Sequence, residues 1–430
     1  MVATDVDALG SGDWADEPGN RGRRERVRAR EQRRLEKAGR RTTGPLRPRP
    51  GSLRVLAAPV VVLAVLTVVG LIALWPGGEA RHGRSQAFGG KTIGAKVSAV
   101  RDIRCPGPTA QKCRQLVIEV SGRRAALTLG PSNLAPHIER GDSIRVQRVA
   151  PPPGARHVEP YTFAGLDRRG TLVWLLVGFC ALVVVMTRWR GALALAGFAL
   201  SLLLVTRFVV PAIAQGSSPV LVALVGSLAV MFITVGLTYG ISPQSAAAIL
   251  GISGSLLFAA VVGAIAVDAA RLDGHSSEYS TILAQADADI SLQGIVLGGL
   301  LIAALGVLAD MAVTQASAVM ALRRANPALS ARGLYSSGFG VGRDHLVATT
   351  HTLVLVYVGA TLPLLLVLHT AGVNVVDALN AQDVAEPIVA TLVGAMALLV
   401  SVPLTTALAA LLLARVPAEA LPDAHHGHAH

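Results

Sequence analysis

Residues 292–311 read LQGIVLGGLLIAALGVLADM, a run in which Asp310 is the only charged residue. A hydrocarbon core about 30 Å thick is crossed by about 20 residues of α-helix, so this run predicts a membrane span. Seven further runs share its apolar character, and they cover residues 53–75, 171–187, 191–214, 219–239, 243–267, 346–368 and 387–413. The sequence therefore predicts a mainly α-helical protein of about eight spans, with an isolated first span and a seven-span bundle over residues 171–415.

The composition of the whole chain agrees with this interpretation. Of its 430 residues, 52% are hydrophobic and 15% are charged, and the mean hydropathy is +0.53, which is too apolar for a soluble protein of this size. The formal net charge is +12, but the basic residues are concentrated in residues 21–41 and 81–169, and aromatic residues make up only 4%. Binding of single-stranded nucleic acid relies on aromatic stacking beside basic groups, so we do not expect nucleic acid as a partner.

The basic residues of short loops predict the orientation, because such loops stay in the cytoplasm. The basic N-terminal segment is therefore expected to be cytoplasmic, and eight spans return the C-terminus to the same side. The cytoplasmic side then carries Arg188, Arg190, Arg323, Arg324, Arg332, Arg343 and Arg415. The loops on the opposite side, at 215–218, 268–290 and 369–386, together contain a single Lys or Arg, which is Arg271. We expect the chain to lie in a bacterial plasma membrane as a multi-pass protein with both termini in the cytoplasm.

The two tails and the first span have separate characters. Residues 1–50 are polar and rich in Arg, Gly and Pro, which is typical of a disordered tail that is attracted to anionic lipid headgroups. The span within residues 51–76 lacks a small-residue cleavage site, so we expect a retained anchor and not a removed signal peptide. Residues 416–430 end in a His-rich cytoplasmic run, but without fixed geometry or acidic partners it is not expected to be a physiological metal site.

Residues 77–165 lie between the first and second spans and are expected to form an extracytoplasmic, β-rich domain. Alternating runs at 115–120, 125–129 and 142–149, separated by Gly and Pro, predict short strands and hence a small β-barrel or sandwich. Cys105 and Cys113 would then face an oxidising space, where a disulfide is the expected state and two free thiols are the alternative. Cys180 lies in the second span and is expected to stay free.

Several separated motifs support a family resemblance. They are GVLADMAVTQASAV at 306–319, RRANP at 323–327, VGRDH at 341–345 and VPLTTAL at 402–408, together with RWRG at 188–191, GISP at 240–243 and GDSIR at 141–145. Their order resembles that of the YibE/F-like family of bacterial multispanning membrane proteins, over nearly everything after residue 90. The resemblance implies this architecture and names no activity. The family often has two adjacent acids where this sequence has Ala309 and Asp310, so any role of the first acid is missing or altered here.

Ionisable residues within spans are the candidates for function, because such a residue costs about 2.5–3.5 kcal/mol to insert and usually faces the interior of a bundle. If the sixth span continues as a helix to Arg323, Asp310, Thr314 and Ser317 fall on one face at i, i+4 and i+7. The start of the seventh span has a similar polar pattern. The candidates for a polar cavity are thus Asp310, Thr314, Gln315, Ser317, Arg343, Asp344, His345 and His351.

A structural role for the same residues is the alternative. Asp310 would then pair with Arg343 or a nearby histidine, and the hydroxyl groups would bond to the helix backbone. Ala247, Gly251 and Ser255 recur at every fourth residue and predict close packing between helices, which is structural as well.

Two classes of function follow from these observations. The first is a permease-like protein that moves a small solute or ion through a polar cavity between the sixth, seventh and eighth spans. The second is a non-transporting scaffold or sensor that couples the outer domain to the basic cytoplasmic loop. The sequence has no Walker loop, no HExxH motif and no Ser elbow, so we expect neither an enzyme nor a cofactor. The expected partners are the lipid bilayer and either a second copy of the chain or another membrane protein.

Overall fold

The computed structural model describes residues 50–77, 92–105, 111–148, 160–275, 283 and 290–416. The predicted tails lie almost entirely outside these residues. The described part is mainly helical, and seven of its helices are long and apolar enough to cross a membrane. A small antiparallel sheet stands between the first two helices that are described. This is the architecture of a membrane bundle with one β-domain.

From residue 169 onward the helices follow one another through short connections, except for the longer connection over residues 270–291. The first helix, α1 (Pro50–Ala73), precedes the β-domain and α2 (Arg169–Thr187) follows it. The others are α3 (Trp189–Ala214), α4 (Pro219–Tyr239), α5 (Pro243–Ala269), α6 (Leu292–Ala325), α7 (Ala331–Thr370), the short α8 (Val375–Asn380) and α9 (Gln382–Leu413). Each predicted span from residue 171 onward falls within one long helix, which confirms that these seven apolar runs are helical.

Local sequence signals explain where several helices begin. Proline occupies the first turn of α4 and α5, where its missing N–H group has no partner in the helix. Serine caps three N-termini: the hydroxyl oxygens of Ser242, Ser291 and Ser330 accept hydrogen bonds from backbone N–H groups three residues later, at 3.1, 3.0 and 3.2 Å.

The helix α1 corresponds to the predicted first span, and it is not isolated in space. Gly70 lies against α4, where a Cβ atom would come within 2.8 Å of the Val225 side chain. Beyond the end of α1, the ring of Trp75 stacks on that of Phe208 in α3, with centroids 5.7 Å apart. The fully described apolar section of α1, Ala58–Ala73, is shorter than the other candidate spans, so the total of eight spans remains a prediction.

Two helices extend well beyond the predicted spans. The sixth predicted span ends at residue 311 and the seventh begins at residue 346, but α6 continues to Ala325 and α7 starts at Ala331. At 1.5 Å per residue, the 40 residues of α7 reach about 60 Å, twice the thickness of a hydrocarbon core. A prediction based on hydropathy ends the span at the first polar residues, whereas the helix itself continues through these residues.

The core of the bundle is formed by α4, α5, α6 and α9. Leu256, Leu301 and Leu308 are fully buried there. The backbones of α5 and α9 come close at Gly251, where a Cβ atom would lie 2.1 Å from Thr405 Oγ1, and this contact agrees with the predicted packing role of the small-residue repeat. At the periphery, α2 has no buried residue, and α7 buries only Leu334, Gly338, Gly342 and Leu346, all in its first half.

The bundle has two ends, which are named here after one residue each. The Arg323 end carries the start of α3, α5 and α7 and the end of α4, α6 and α9. The Asp383 end carries the start of α4, α6 and α9 and the end of α3, α5 and α7.

The β-domain is a curved half-barrel of five antiparallel strands. They are β1 (Thr92–Arg104), β2 (Lys112–Val120), β3 (Arg123–Pro131), β4 (Ser143–Arg148) and β5 (Tyr161–Leu166), in the order β3-β2-β1-β4-β5. Alternate side chains, including Leu116, Ile118 and Ile144, point inward and are fully buried. A disulfide joins Cys105 and Cys113, whose Cα atoms are 4.9 Å apart, and Cys180 in α2 is free.

Candidate functional site

The eight residues predicted for a polar cavity do not converge on a single cavity. Gln315 is buried and Ser317 is half-buried, whereas the other six are exposed: Asp310, Thr314, Arg343, Asp344, His345 and His351. Gly342 faces the bundle, and Asp344 follows it by two residues, or about 200° around the helix. Asp344 and His351, seven residues apart, therefore lie on the face of α7 that points away from the core.

Gln315 connects three helices. Its Nε2 group donates hydrogen bonds of 2.7 Å to the carbonyl oxygen of Gly338 in α7 and to Thr406 Oγ1 in α9. The Thr406 hydroxyl in turn donates to the carbonyl oxygen of Val402. Gly342 lies so close that a Cβ atom there would be 2.6 Å from Gln315 Oε1. With only 2% of Gln315 exposed, the contacts of this residue match the structural alternative, in which polar groups hold helices together.

Asp310 lies on a different side of α6, near the end of α4, where it acts electrostatically on the hydroxyl group of Tyr239. Two turns further along α6, Ser317 accepts a hydrogen bond from Gln244 at the start of α5 and donates one of 2.8 Å to the carbonyl oxygen of Val313. The face of α6 that carries Asp310 and Ser317 thus meets polar groups of α4 and α5 instead of the predicted partners on α7.

A cavity of about 570 Å³ opens at the Asp383 end of the bundle. Its lining comes mainly from α6, α9 and the connection between α5 and α6, whereas α7 contributes Tyr357 and α5 contributes Val267. The lining is mostly apolar, from residues such as Ile295, Gly299 and Ala303 of α6, but it includes the side chains of Tyr357, Asp383 and Glu386. Within the described part of the chain, no Lys, Arg or His lines this cavity. The cavity therefore combines an apolar wall with a negatively charged margin.

An apolar groove of about 240 Å³ adjoins this cavity between α7 and α9. Tyr357 and Pro387 line both spaces, so the two are continuous. The groove is otherwise lined by Val354, Val358, Thr361, Leu365, Leu379, Val384, Ile388, Thr391 and Leu392. The hydroxyls of Thr361 and Thr391 donate to carbonyl oxygens one turn earlier in their own helices, at 3.0 and 2.7 Å, and so present little polarity to the groove.

The connection between α5 and α6 shapes the mouth of the cavity. Asp273 accepts a hydrogen bond of 2.8 Å from Gln382 Nε2 at the start of α9 and one of 3.0 Å from the backbone N–H of His275. The bond from His275 has the larger effect and that from Gln382 the smaller, and together they hold the pKa of the Asp273 carboxyl below its usual range. Gly274 between them has a φ of +78° and packs so tightly on Leu292 that a Cβ atom would lie 2.8 Å from its backbone. The first part of the connection, up to His275, is thereby fastened to the starts of α6 and α9.

The basic loop at the opposite end is fastened as well. Arg323 is 7% exposed, and its guanidinium donates hydrogen bonds to the carbonyl oxygens of Pro327, Leu329 and Val416, the latter two at 3.1 and 3.4 Å. Arginine suits this position because its planar group carries five N–H donors and remains charged when buried. Arg323 thus joins the loop after α6 to the residues that follow α9.

Sequence reasoning missed the residues that line the cavity and those that surround Asp310. Asp383 and Glu386 were assigned to a loop, although their spacing of three residues places them on one face of a helix that begins at Gln382. Tyr357 and Tyr239 are the only tyrosines of their two apolar runs, 346–368 and 219–239, and this was the available signal. Arg207 is an exposed charge in α3, and it lies in the π-helical turn Val205–Val209. Pro211 follows four residues later and has no N–H group to donate to a helical hydrogen bond.

The architecture defines the class: a helical membrane protein with a small β-domain between α1 and α2. The family follows from comparison with known proteins. The YibE/F-like protein family model matches residues 175–415, more than half of the chain, so the chain belongs to the YibE/F-like family. This confirms the resemblance seen in the sequence motifs. The comparisons with curated proteins and with solved structures gave no match.

Proposed function

We propose that this YibE/F-like protein is permease-like, and not an enzyme, and that it moves a small solute or ion through the bundle. The observation that supports this most strongly is an open face on α6. Gly299, Ala303, Gly306 and Asp310 follow one another at i, i+4, i+7 and i+11, so they share one side of the helix, and all four are exposed. This side leads from the cavity to the carboxylate.

The dimensions of this face suit a passage. Gly299 and Ala303 line the cavity, and a Cβ atom at Gly299 or Gly306 would have no neighbouring atom within 4 Å. Ala303 and Asp310 are seven residues apart, about 10 Å along the helix axis. Gly299 therefore leaves open space at the cavity, and Gly306 leaves open space between the cavity and Asp310. In the proposed orientation, the Asp383 end faces the extracytoplasmic side of a bacterial plasma membrane and the Arg323 end faces the cytoplasm.

A second function is supported by the attachment of the β-domain. The domain is connected to α1 and α2, and α1 packs on the bundle through Gly70 and Trp75. Binding of a partner to the domain would therefore act on α3 and α4, as expected of a non-transporting scaffold or sensor. We favour transport because the cavity and the open face of α6 have no role in the sensor.

Uptake by reconstituted vesicles tests the proposal. A panel of protons, alkali and alkaline-earth cations, and small organic solutes would be offered to vesicles containing the protein and to empty vesicles. Gly306→Leu should reduce the uptake found with the parent by about tenfold or more, because leucine places an apolar side chain across the passage. The matched control is Gly178→Leu on α2, where a Cβ atom also meets no neighbour within 4 Å. Uptake unaffected by Gly306→Leu, or absent for the whole panel, would contradict transport along α6 and favour the sensor.

A further inference from the structure

The size of the cavity argues against a bare inorganic ion as its occupant. A volume of about 570 Å³ lies within the range of about 300–1,000 Å³ that is typical of sites for organic ligands. Hard cations require about six to eight oxygen ligands for Ca²⁺ or a near-octahedral set for Mg²⁺. The wall here offers two carboxylates and one phenol among apolar side chains. The cavity is better suited to an organic molecule than to the coordination of a metal ion.

The charge of the lining restricts the ligand further. Asp383 and Glu386 contribute negative charge at the start of α9, and no described residue of the lining contributes positive charge. Tyr357 adds an aromatic ring, whose face attracts organic cations, and it stands where the cavity meets the groove. A positively charged headgroup is therefore complementary to the cavity, whereas an anion would be repelled.

The adjoining groove indicates that the rest of the ligand is apolar. It is continuous with the cavity through Tyr357 and Pro387, and its two threonine hydroxyls bond within their own helices. Leu392 and Val354, which line it, are 56% and 43% exposed, so the groove lies at the outer surface of the bundle where α7 leaves the core. An alkyl chain that enters the groove from water would bury its own apolar surface against both helices.

We propose that the cavity and groove together bind an amphiphilic organic cation, with its headgroup near Asp383 and Glu386 and its apolar tail between α7 and α9. This substrate class rests on the proposed function, because it assigns a ligand to the same cavity. Binding itself does not require transport, so the two can be tested separately.

The test measures the binding of alkyltrimethylammonium ions of increasing tail length to the full chain in phosphatidylcholine nanodiscs. Binding to empty nanodiscs is subtracted. Affinity should rise by up to about fourfold per methylene group until the groove is filled. Alkyl sulfates and alkyl alcohols of equal length should bind more weakly than the ammonium ion. Equal binding of all three headgroups would mean that the groove only holds lipid chains, and this would overturn the proposal.

Two variants divide the site into its parts. Asp383→Asn should weaken ammonium binding by about tenfold and leave alcohol binding unchanged, whereas Asp377→Asn, an equal charge change on α8 outside the lining, should alter neither. Leu392→Trp should abolish the dependence on tail length, whereas Leu355→Trp, on α7 and outside the groove lining, should preserve it. Parental binding in both Asp383→Asn and Leu392→Trp would contradict the assignment.

The outcome also separates this inference from the proposed function. Amphiphile binding with the expected pattern, but without uptake by vesicles, would support the ligand class and contradict transport. Uptake of another solute that is blocked by Gly306→Leu, without amphiphile binding, would support transport and overturn the ligand class.

Discussion

Replacing Asp310 by asparagine should abolish transport and leave stability nearly unchanged. Asparagine keeps the size of the side chain and most of its hydrogen-bonding capacity, but it cannot ionise or exchange a proton. In the structure Asp310 is exposed on α6, and the groups it acts on include the hydroxyl of Tyr239. Among the described residues no salt bridge to Asp310 is formed, so the substitution leaves no partner charge buried without compensation, and we expect the free energy of unfolding to change by no more than about 1 kcal/mol. For a domain of this size, 1 kcal/mol corresponds to a shift in Tm of about 2–4 °C.

A buried ion pair would give a different result. Removing one partner of such a pair costs about 3–5 kcal/mol, because the other charge stays buried without compensation, and the Tm would fall by more than about 6 °C. Thermal unfolding in detergent therefore distinguishes the two roles, and vesicle uptake measured on the same preparation reports function. A large loss of stability would refute our assignment of Asp310 to an open face. An unchanged Tm together with parental uptake would remove Asp310 from the site altogether.

Gln315→Met, unlike Asp310→Asn, should reduce the free energy of unfolding by about 1–2 kcal/mol, because two interhelical hydrogen bonds disappear at nearly constant side-chain volume. A variant that unfolds in detergent with the stability of the parent would contradict this. For topology, a cysteine at position 217 should react with an impermeant reagent from outside, and one at position 330 only after permeabilisation; labelling of Ser330→Cys in intact cells would invert the proposed orientation. Mass spectrometry without reductant should find the peptides of Cys105 and Cys113 linked, with stabilisation near the lower limit of about 2–4 kcal/mol because the loop is short, whereas alkylation of both thiols would exclude the disulfide.

The spans could be predicted because hydropathy is a local property. Residues 219–239 form a helix with the predicted bounds, and every other predicted span from residue 171 lies within one helix. The ends of α6 and α7 could not be predicted in this way, since the polar residues beyond the membrane continue the same helices. The strands β2, β3 and β4 of the half-barrel followed from alternation, which is likewise local, whereas β1 and β5 were not predicted.

The candidate site was harder to predict because it depends on which neighbour each helix face meets. The spacing of Asp310, Thr314 and Ser317 correctly places them on one side of α6, but it contains no information on whether α4 or α7 lies opposite. Gln315 is only one residue from Thr314, or 100° around the helix, and that rotation is enough to place it in the core against Gly338. The cavity arises where the second half of α7 separates from the core of the bundle. This separation is a tertiary feature that has no sequence pattern.

The hydrogen bonds of Arg323 have a consequence for biogenesis. Arg323 is translated well before Val416, whose carbonyl oxygen it needs as one of its three acceptors. A chain still attached to the ribosome at residue 400 therefore has this arginine incompletely bonded and the last helix unfinished. Such a charge at the membrane boundary is a recognisable mark of an unfinished protein. We expect chains truncated at residue 400 to be removed by membrane quality control even though six of the seven long apolar helices in the described part of the chain are already complete.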